Sequence, residues 1–366
     1  MKTLKKFIAA LALVATVLGP NAALATTVVP GNDIQTSFTI NSTTSVDPVT
    51  PIIKAVWEEE PTVNELESGD PTHCVNQTQV LPPLQWGANK NVTVCTVVTD
   101  PQTYTDLVSV KAKVTGPNLY HYCSPNQEKG VYVLSKAYDP TNRTQVTNAL
   151  ARFEAASSKG LVSYNDTYDY ADVVLELEDT AAAIYCGEFP MNYEDPAGAY
   201  NVLIDAWDKN SNYAEFGNNM TYVAVGGFET DFTAVNYGAI TTLGQEQIVS
   251  GDRGPGAWGT ANKPTVRNIG NVRLNMTVNQ DLMGLRDVTP SIITYAARLG
   301  DYLNTKKSYL PNVSQKLPDV LETSTEEKMD FWVTISEPNA GQSSYTGHLL
   351  LGAVVATPQN NPCTTR

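Results

Sequence analysis

Apolar residues fall at every second position in several stretches of the chain. Val92, Val94 and Val98 alternate with polar neighbours in "NVTVCTVVT", and Val108, Val110, Ala112 and Val114 alternate with Ser109, Lys111 and Lys113. Tyr200, Val202, Ile204 and Ala206 share one parity, as do Phe331, Val333 and Ile335 against Asp330, Trp332 and Thr334. From Asn271 the alternation is strict: Val272, Leu274, Met276 and Val278 against Asn271, Arg273, Asn275 and Thr277. A period of two marks a strand with one face on a core. "PIIKAVWE" (51–58) and "GVYVLSKAYD" (130–139) read as further strands.

Two stretches follow a longer period. In "TNRTQVTNALARFEAASSKG", Val146, Leu150 and Phe153 stand at helical spacing and Gly160 is a natural C-cap. "DTYDYADVVLELEDTAAAIY" fits both periods: Val173, Leu177, Ala181 and Ile184 as a helix face, Val173, Leu175 and Leu177 as a strand. Its length and Ala run favour a helix. Residues 301–328 read as a Lys/Pro-rich excursion. The pattern predicts a mainly β protein of two β-sandwich domains, 51–226 and 227–357, divided at Gly226–Gly227. One or two α-helices are inserted in the first, at about 141–182.

The ends carry different signals. Lys2, Lys5 and Lys6, the apolar "FIAALALVATVLG" and Ala23-Leu24-Ala25 have the form of a signal peptide over 1–25. Residues 26–50 form an extended arm whose only charges are two Asp, with Ile34, Phe38 and Ile40 alternating with polar residues. Residues 358–366 are a polar tail, and no later apolar run reaches the ~18 residues of a membrane span. The expectation is export without membrane insertion.

Charge narrows the partners. Net charge is −14 over 366 residues, with only 17% charged residues. An acidic surplus argues against nucleic acid and anionic membranes. Eight Asn-x-Ser/Thr patterns, at Asn41, Asn76, Asn91, Asn142, Asn165, Asn219, Asn275 and Asn312, are candidate N-glycosylation sites, at least half of them expected to be occupied.

"DPAGAYNVLIDAWDKNSN" resembles the strand and turn of Ig-like domains in archaeal and bacterial surface proteins, through Pro196, Gly198, Tyr200, Val202, Ala206 and Asp208. The second half resembles small β-sandwiches of surface proteins. There the matching residues are Val266, Asn268, Gly270, Asn271, Val333, Ile335 and Pro338, with Tyr345-Thr346-Gly347 leading into the last strand. With secretion and acidity, the whole chain is similar to methanogen cell-envelope glycoproteins of the major sheath or surface-layer (S-layer) kind. The resemblance implies a structural, non-enzymatic subunit that self-assembles through β-edge contacts, with itself and other envelope proteins as partners. A secreted carbohydrate- or peptide-binding protein is the alternative.

Candidate chemistry is sparse. His73 and His121 lie near Cys74 and Cys123, but paired CxxC units are absent, and in an exported chain such cysteines suit disulfides. His348 reads as a surface residue, Gly251–Gly256 as a loop, and Glu58, Glu59 and Glu60 as a solvated face. Asp205, Asp208, Asn210 and Asn212 are a candidate Ca²⁺ set, although Tyr213 stands where a calcium loop needs Gly. The competing reading is an Asx-turn. Trp57, Trp207 and Trp332 sit in strand patterns and suit packing more than sugar stacking.

Five cysteines leave one over. If the strands at 51–58, 90–99, 107–114 and 130–139 run up and down in order, Cys74 and Cys123 lie at one end and Cys95 meets Cys186 between sheets. The expected bridges are Cys74–Cys123 and Cys95–Cys186, with Cys363 bonded to another subunit or free. The nearly uncharged arm, or an edge strand, is expected to pair with a neighbouring subunit by strand addition.

Overall fold

A computed structural model of the chain describes residues 50–59, 78–101, 104–117, 127–138, 142–179, 181–254, 256–285, 292–301, 305–337 and 344–357, all within one compact unit, Asp47–Arg366. The expected signal peptide, the arm up to residue 49 and the tail lie outside the described residues. So do Asn41, Asn76, His73, His121, Cys74, Cys123, Cys363 and Glu60.

The chain is mainly β, and its first part has three layers. β1 (Ile52–Glu59), β3 (Asn89–Thr99), β6 (Ser135–Lys136), β7 (Ser163–Tyr164) and β8 (Ala182–Asn192) form one sheet, ordered β6-β8-β3-β1-β7. β2 (Thr78–Val80), β4 (Leu107–Gly116), β5 (Gln127–Val133), β9 (Gly198–Asp208) and β10 (Tyr213–Tyr222) form the facing sheet, ordered β2-β10-β9-β4-β5. Val94, Val98 and Phe189 of the first meet Val110, Val202, Ile204 and Met220 of the second in one core.

Two helices cover the far face of the first sheet: α1 (Arg143–Ser158), capped by Asn142, and α2 (Tyr170–Glu178), capped by Asp169. Phe153 of α1 is fully buried, 5.6 Å from the Trp57 ring and 5.8 Å from Tyr170. Gly160, with φ near +70°, follows the α1 C-cap, where a left-handed residue costs Gly least. The first sheet is thus buried on both faces, and every β3 residue from Val92 to Thr99 is out of solvent. The second sheet has one open face, and β4 and β9 keep their alternation.

The same layering explains two departures from expectation. The second helix stops at Glu178, and the Ala run belongs to β8, not to a helix. Ala183 and Tyr185 face the sandwich core while Ala182 and Ile184 face the helices, so both parities are apolar and the period-two signal vanishes. β1 pairs antiparallel with β3 and β4 with β5, as an up-and-down order needs, but the chain changes sheets between β3 and β4. Cys95 and Cys186 do form a disulfide, but as directly opposed residues on neighbouring strands β3 and β8, with Cα atoms 4.2 Å apart, and not between sheets.

The second part is a two-sheet sandwich. β11 (Phe228–Thr230), β13 (Thr265–Asn268), β18 (Glu326–Ile335), β15 (Ile293–Leu299) and β16 (Lys307–Tyr309) lie in that order, and β12 (Glu246–Val249) also pairs with β18. β17 (Gln315–Leu321), β14 (Leu274–Gln280) and β19 (Leu349–Val355) form the facing sheet in the order β17-β14-β19. Residues 301–328 are therefore no mere excursion: they supply β16, β17 and the start of β18. Leu317 and Leu321 keep a strand phase that Pro318 hides.

The joint between the parts lies on either side of Gly226–Gly227. Asn271 accepts from Val225 N (2.7 Å) through its side chain and donates to the Val223 carbonyl (2.8 Å). Gly270 has no room for a Cβ, which would sit 2.3 Å from the Val225 carbonyl oxygen. Arg267 stacks over Trp258 (3.9 Å) and reaches Trp86 (5.1 Å) of the first part. The Asn-x-Gly-Asn turn of the sequence is thus a clamp between the two halves.

Candidate assembly edge and modification sites

The eight sequons divide by burial. Asn91, Asn142, Asn219 and Asn312 are exposed. Asn142 caps α1 through its carbonyl oxygen, which leaves the amide nitrogen outside that bond. Asn165 is half-buried, and its Nδ2 donates to the Ile53 carbonyl (2.9 Å). Asn275 is a correction. It is buried at 5% exposure, and its Nδ2 faces the carbonyls of Leu317 (3.3 Å) and Asp319 (3.1 Å). β17 bulges opposite it, and Asn275 fills the bulge, so the face that looks polar in sequence is covered. The nitrogen that would carry sugar is committed to backbone acceptors. Peptide mapping of the native protein should find Asn275 unmodified, and a glycan there would mean that β17 is not seated on β14.

The calcium candidates do not converge. Asp208 Oδ1 accepts the backbone N–H groups of Asn210 and Asn212 (both 2.8 Å), and its Oδ2 accepts from Asn212 Nδ2 (2.8 Å). This is the Asx-turn of the competing reading, with Ser211 at φ near +67°. Asp205 is of the other parity in β9, opposite Glu215 and Lys111. Burial, and then the Glu215 carboxylate, push the Asp205 carboxyl up. Among the described residues no three His, Cys, Asp or Glu side chains are grouped to hold a metal ion.

The supposedly solvated acidic face is also corrected. Glu58 is fully buried between the sheets, and its Oε2 accepts from Asn218 Nδ2 (2.7 Å). Burial pushes its carboxyl up to about 8, against the lowering pull of that bond. Glu59 is half-buried and binds Arg152 Nε through both oxygens (3.0 and 2.9 Å).

Of the tryptophans, Trp57 and Trp332 are buried, while Trp207 is 37% exposed and stacks on Tyr213 at 4.8 Å. That pair stands on the open face of the second sheet, on the parity of Asn201, Asp205 and Asn219.

Edge strands decide what the sandwiches can pair with. Most edges here are blunted in the ways that keep β proteins apart. β2 has three residues, and β6 and β7 two each. β5 carries Glu128 and Lys129 beside a bulge, and β17 carries Lys316, Pro318 and Asp319 beside another. β11, β12 and β16 are short and carry Glu229, Glu246 and Lys307. Among the described residues only β19, "LLLGAVV", lacks every such device, and Leu350 (64%), Val354 (44%) and Val355 (50%) are exposed on it.

The hydrogen-bond phase of β19 shows which groups are open. Asp281 N donates to the His348 carbonyl (3.1 Å) and Ala356 N to the Arg273 carbonyl (2.8 Å), in register with β14. Even-numbered residues therefore bond to β14, and the N–H and C=O groups of Leu349, Leu351, Ala353 and Val355 point to the open side. Asp281 fixes the start of the strand: its carboxylate accepts from His348 N (2.9 Å) and contacts His348 Nδ1 (3.0 Å). A Cβ on Gly347 would meet that carboxylate at 2.0 Å, which is why the Tyr-Thr-Gly lead-in needs its glycine. His348 is otherwise exposed, as expected.

A cleft of about 590 Å³ adjoins this edge, lined by Leu349, Leu351 and Tyr345 and by Phe228, Phe232, Val235 and Tyr237. Gln280, also in the lining, accepts from the Tyr237 (3.3 Å) and Tyr309 (3.4 Å) hydroxyls. Burial pushes the Tyr237 hydroxyl up to about 12. Sequence reasoning missed this site. Its one signal was the apolar run before Ala356, which does not show that the strand has a single neighbour.

No family model matches the chain, and no curated protein matches it. Among solved structures it is similar to the CsuC–CsuE chaperone–tip adhesion subunit complex of Acinetobacter baumannii. The TM-score is 0.28 at 10% identity, over 76% of this chain and 97% of the other. It is also similar to the C-terminal domain of the Streptococcus pyogenes antigen I/II-family protein AspA, at TM-score 0.19 and 11% identity, over 83% and 95%. A third likeness is to the secreted serine protease VesC of Vibrio cholerae, at TM-score 0.17 and 8% identity, over 75% of this chain and 49% of that one. Likenesses this distant carry no function from one chain to the other. Among the described residues no helix is long and apolar enough to cross a membrane.

Proposed function

We propose that the chain is a secreted, non-catalytic structural subunit of an extracellular envelope layer, a sheath or surface layer, which assembles with copies of itself through β-edge contacts. One observation carries the reading: β19 is a seven-residue, uncharged and unprotected edge beside an apolar cleft. A monomeric secreted protein has reason to blunt such an edge, and the other edges among the described residues are blunted. Exposed sequons at Asn91, Asn142, Asn219 and Asn312 suit the outer wall of a coat. The resemblance to methanogen envelope glycoproteins supports the same reading. Fractionation of the native envelope tests it. The chain should be an abundant component that resists detergent, whereas one that washes off as a monomer would refute the proposal.

A second reading, a secreted carbohydrate-binding protein, is favoured by the exposed Trp207–Tyr213 stack. Sugar binding by the washed-off monomer, abolished by Trp207→Ala, would put it first.

A further inference from the structure

We infer that residues 34–40 from the arm of a second copy add as a strand to the open edge of β19 and lay their apolar side chains into the adjoining cleft. The inference rests on the self-assembly reading and names its contact.

Donor and acceptor match in pattern, length and charge. Ile34, Thr36, Phe38 and Ile40 share one parity, and Gln35, Ser37, Thr39 and Asn41 the other. As a strand the segment has one apolar face for the cleft and one polar face for solvent. Seven residues span about 23 Å at ~3.3 Å each, and β19 also has seven. No charged residue occurs between Asp33 and Asp47, so nothing in the segment would be buried unpaired. On the acceptor side, four residues of β19 direct N–H and C=O groups outward, and Phe228, Phe232 and Val235 supply apolar surface.

The topology argues for a second copy. The arm leads into β1, which among the described residues pairs within the first sandwich, while the acceptor edge belongs to the second. A donor at one part and an acceptor at another make a heterologous contact, and such contacts repeat along a line unless they close into a ring.

The test uses residues 26–366, the same chain with Phe38→Asp, and the compact unit 47–366 with a synthetic peptide of residues 31–48. Residues 26–366 should polymerise, by light scattering and electron microscopy, and the Phe38→Asp chain should remain a folded monomer by circular dichroism. The peptide should bind 47–366 at one to one by calorimetry, with at least tenfold loss for its Phe38→Asp form. If 26–366 polymerises while folded 47–366 ignores the peptide, or if the Phe38→Asp chain polymerises unchanged, the inference falls and the assembly reading stands. If 26–366 stays monomeric while the peptide binds 47–366, the arm closes its own cleft, and both fall.

Discussion

Replacing Asp330 by alanine should cost about 3–5 kcal/mol of stability, the size expected when one partner of a buried ion pair is removed. Asp330 on β18 is fully buried and opposes Arg298 on β15, whose guanidinium donates to it through Nε (3.1 Å) and Nη2. It also accepts from Ser250 Oγ (3.0 Å) and Gly251 N (2.9 Å). Truncation strands the guanidinium of Arg298, a residue only 8% exposed, and leaves a buried backbone donor without an acceptor. Much of the cost is therefore the orphaned partner. The double change Arg298→Met with Asp330→Leu should recover most of it, because neither charge then remains to be solvated. Urea unfolding of the two variants beside the native chain measures this. A loss under about 1 kcal/mol for Asp330→Ala would mean the pair behaves as an exposed one.

The second large effect is a pH slope to which Glu58 is the main contributor. Glu58 has a folded pKa near 8 against an ordinary value of 4.5. Between those values the folded chain keeps a proton that the unfolded chain has lost. Stability therefore falls as pH rises through that window, by about 1.4 kcal/mol per unit at the steepest, and levels off above pH 8. Asn218 and Thr78 hydrogen-bond to it, both lowering its pKa without offsetting the burial, and Lys54 on the same strand is taken by Glu176 of α2. Glu58→Gln removes the titration and keeps the shape. The variant should gain on the native chain by about 2–4 kcal/mol between pH 5 and pH 8. Parallel unfolding profiles for the two proteins over that range would show that Glu58 does not titrate there.

Where a strand keeps one face in solvent, its place could be read directly from the chain. β4 and β9 are such strands, and the Pro-x-Gly-x-Tyr signature before β9 has a structural cause: the Tyr200 hydroxyl donates to the Pro196 carbonyl (2.9 Å) and ties the strand to its turn. Where layers stack, local reading fails, because what covers a residue comes from far along the chain. Glu58 and Asn275 are polar residues on faces that look wet, yet Asn218 and the β17 bulge, 160 and about 42 residues away, close over them. β8 misled for the opposite reason, since covering on both sides erased its polar parity. The Cys95–Cys186 pairing was legible while its position was not, because both cysteines lie in strands but only the sheet order makes them neighbours. An edge such as β19 is a property of topology, and alternation alone cannot announce it.

On the proposed envelope role, the Cys95–Cys186 bond has a mechanical consequence. It joins residues 91 apart in sequence on adjacent central strands. Tension applied through the two ends of the chain bypasses the segment between them, which holds both helices, the whole of β9's partner β4 and about a third of the first sandwich's core. A pulled-out chain of 91 residues would add about 300 Å of slack at ~3.4 Å per residue. Oxidised, the chain withholds that length under tension, whereas reduction releases it as a long, compliant tether.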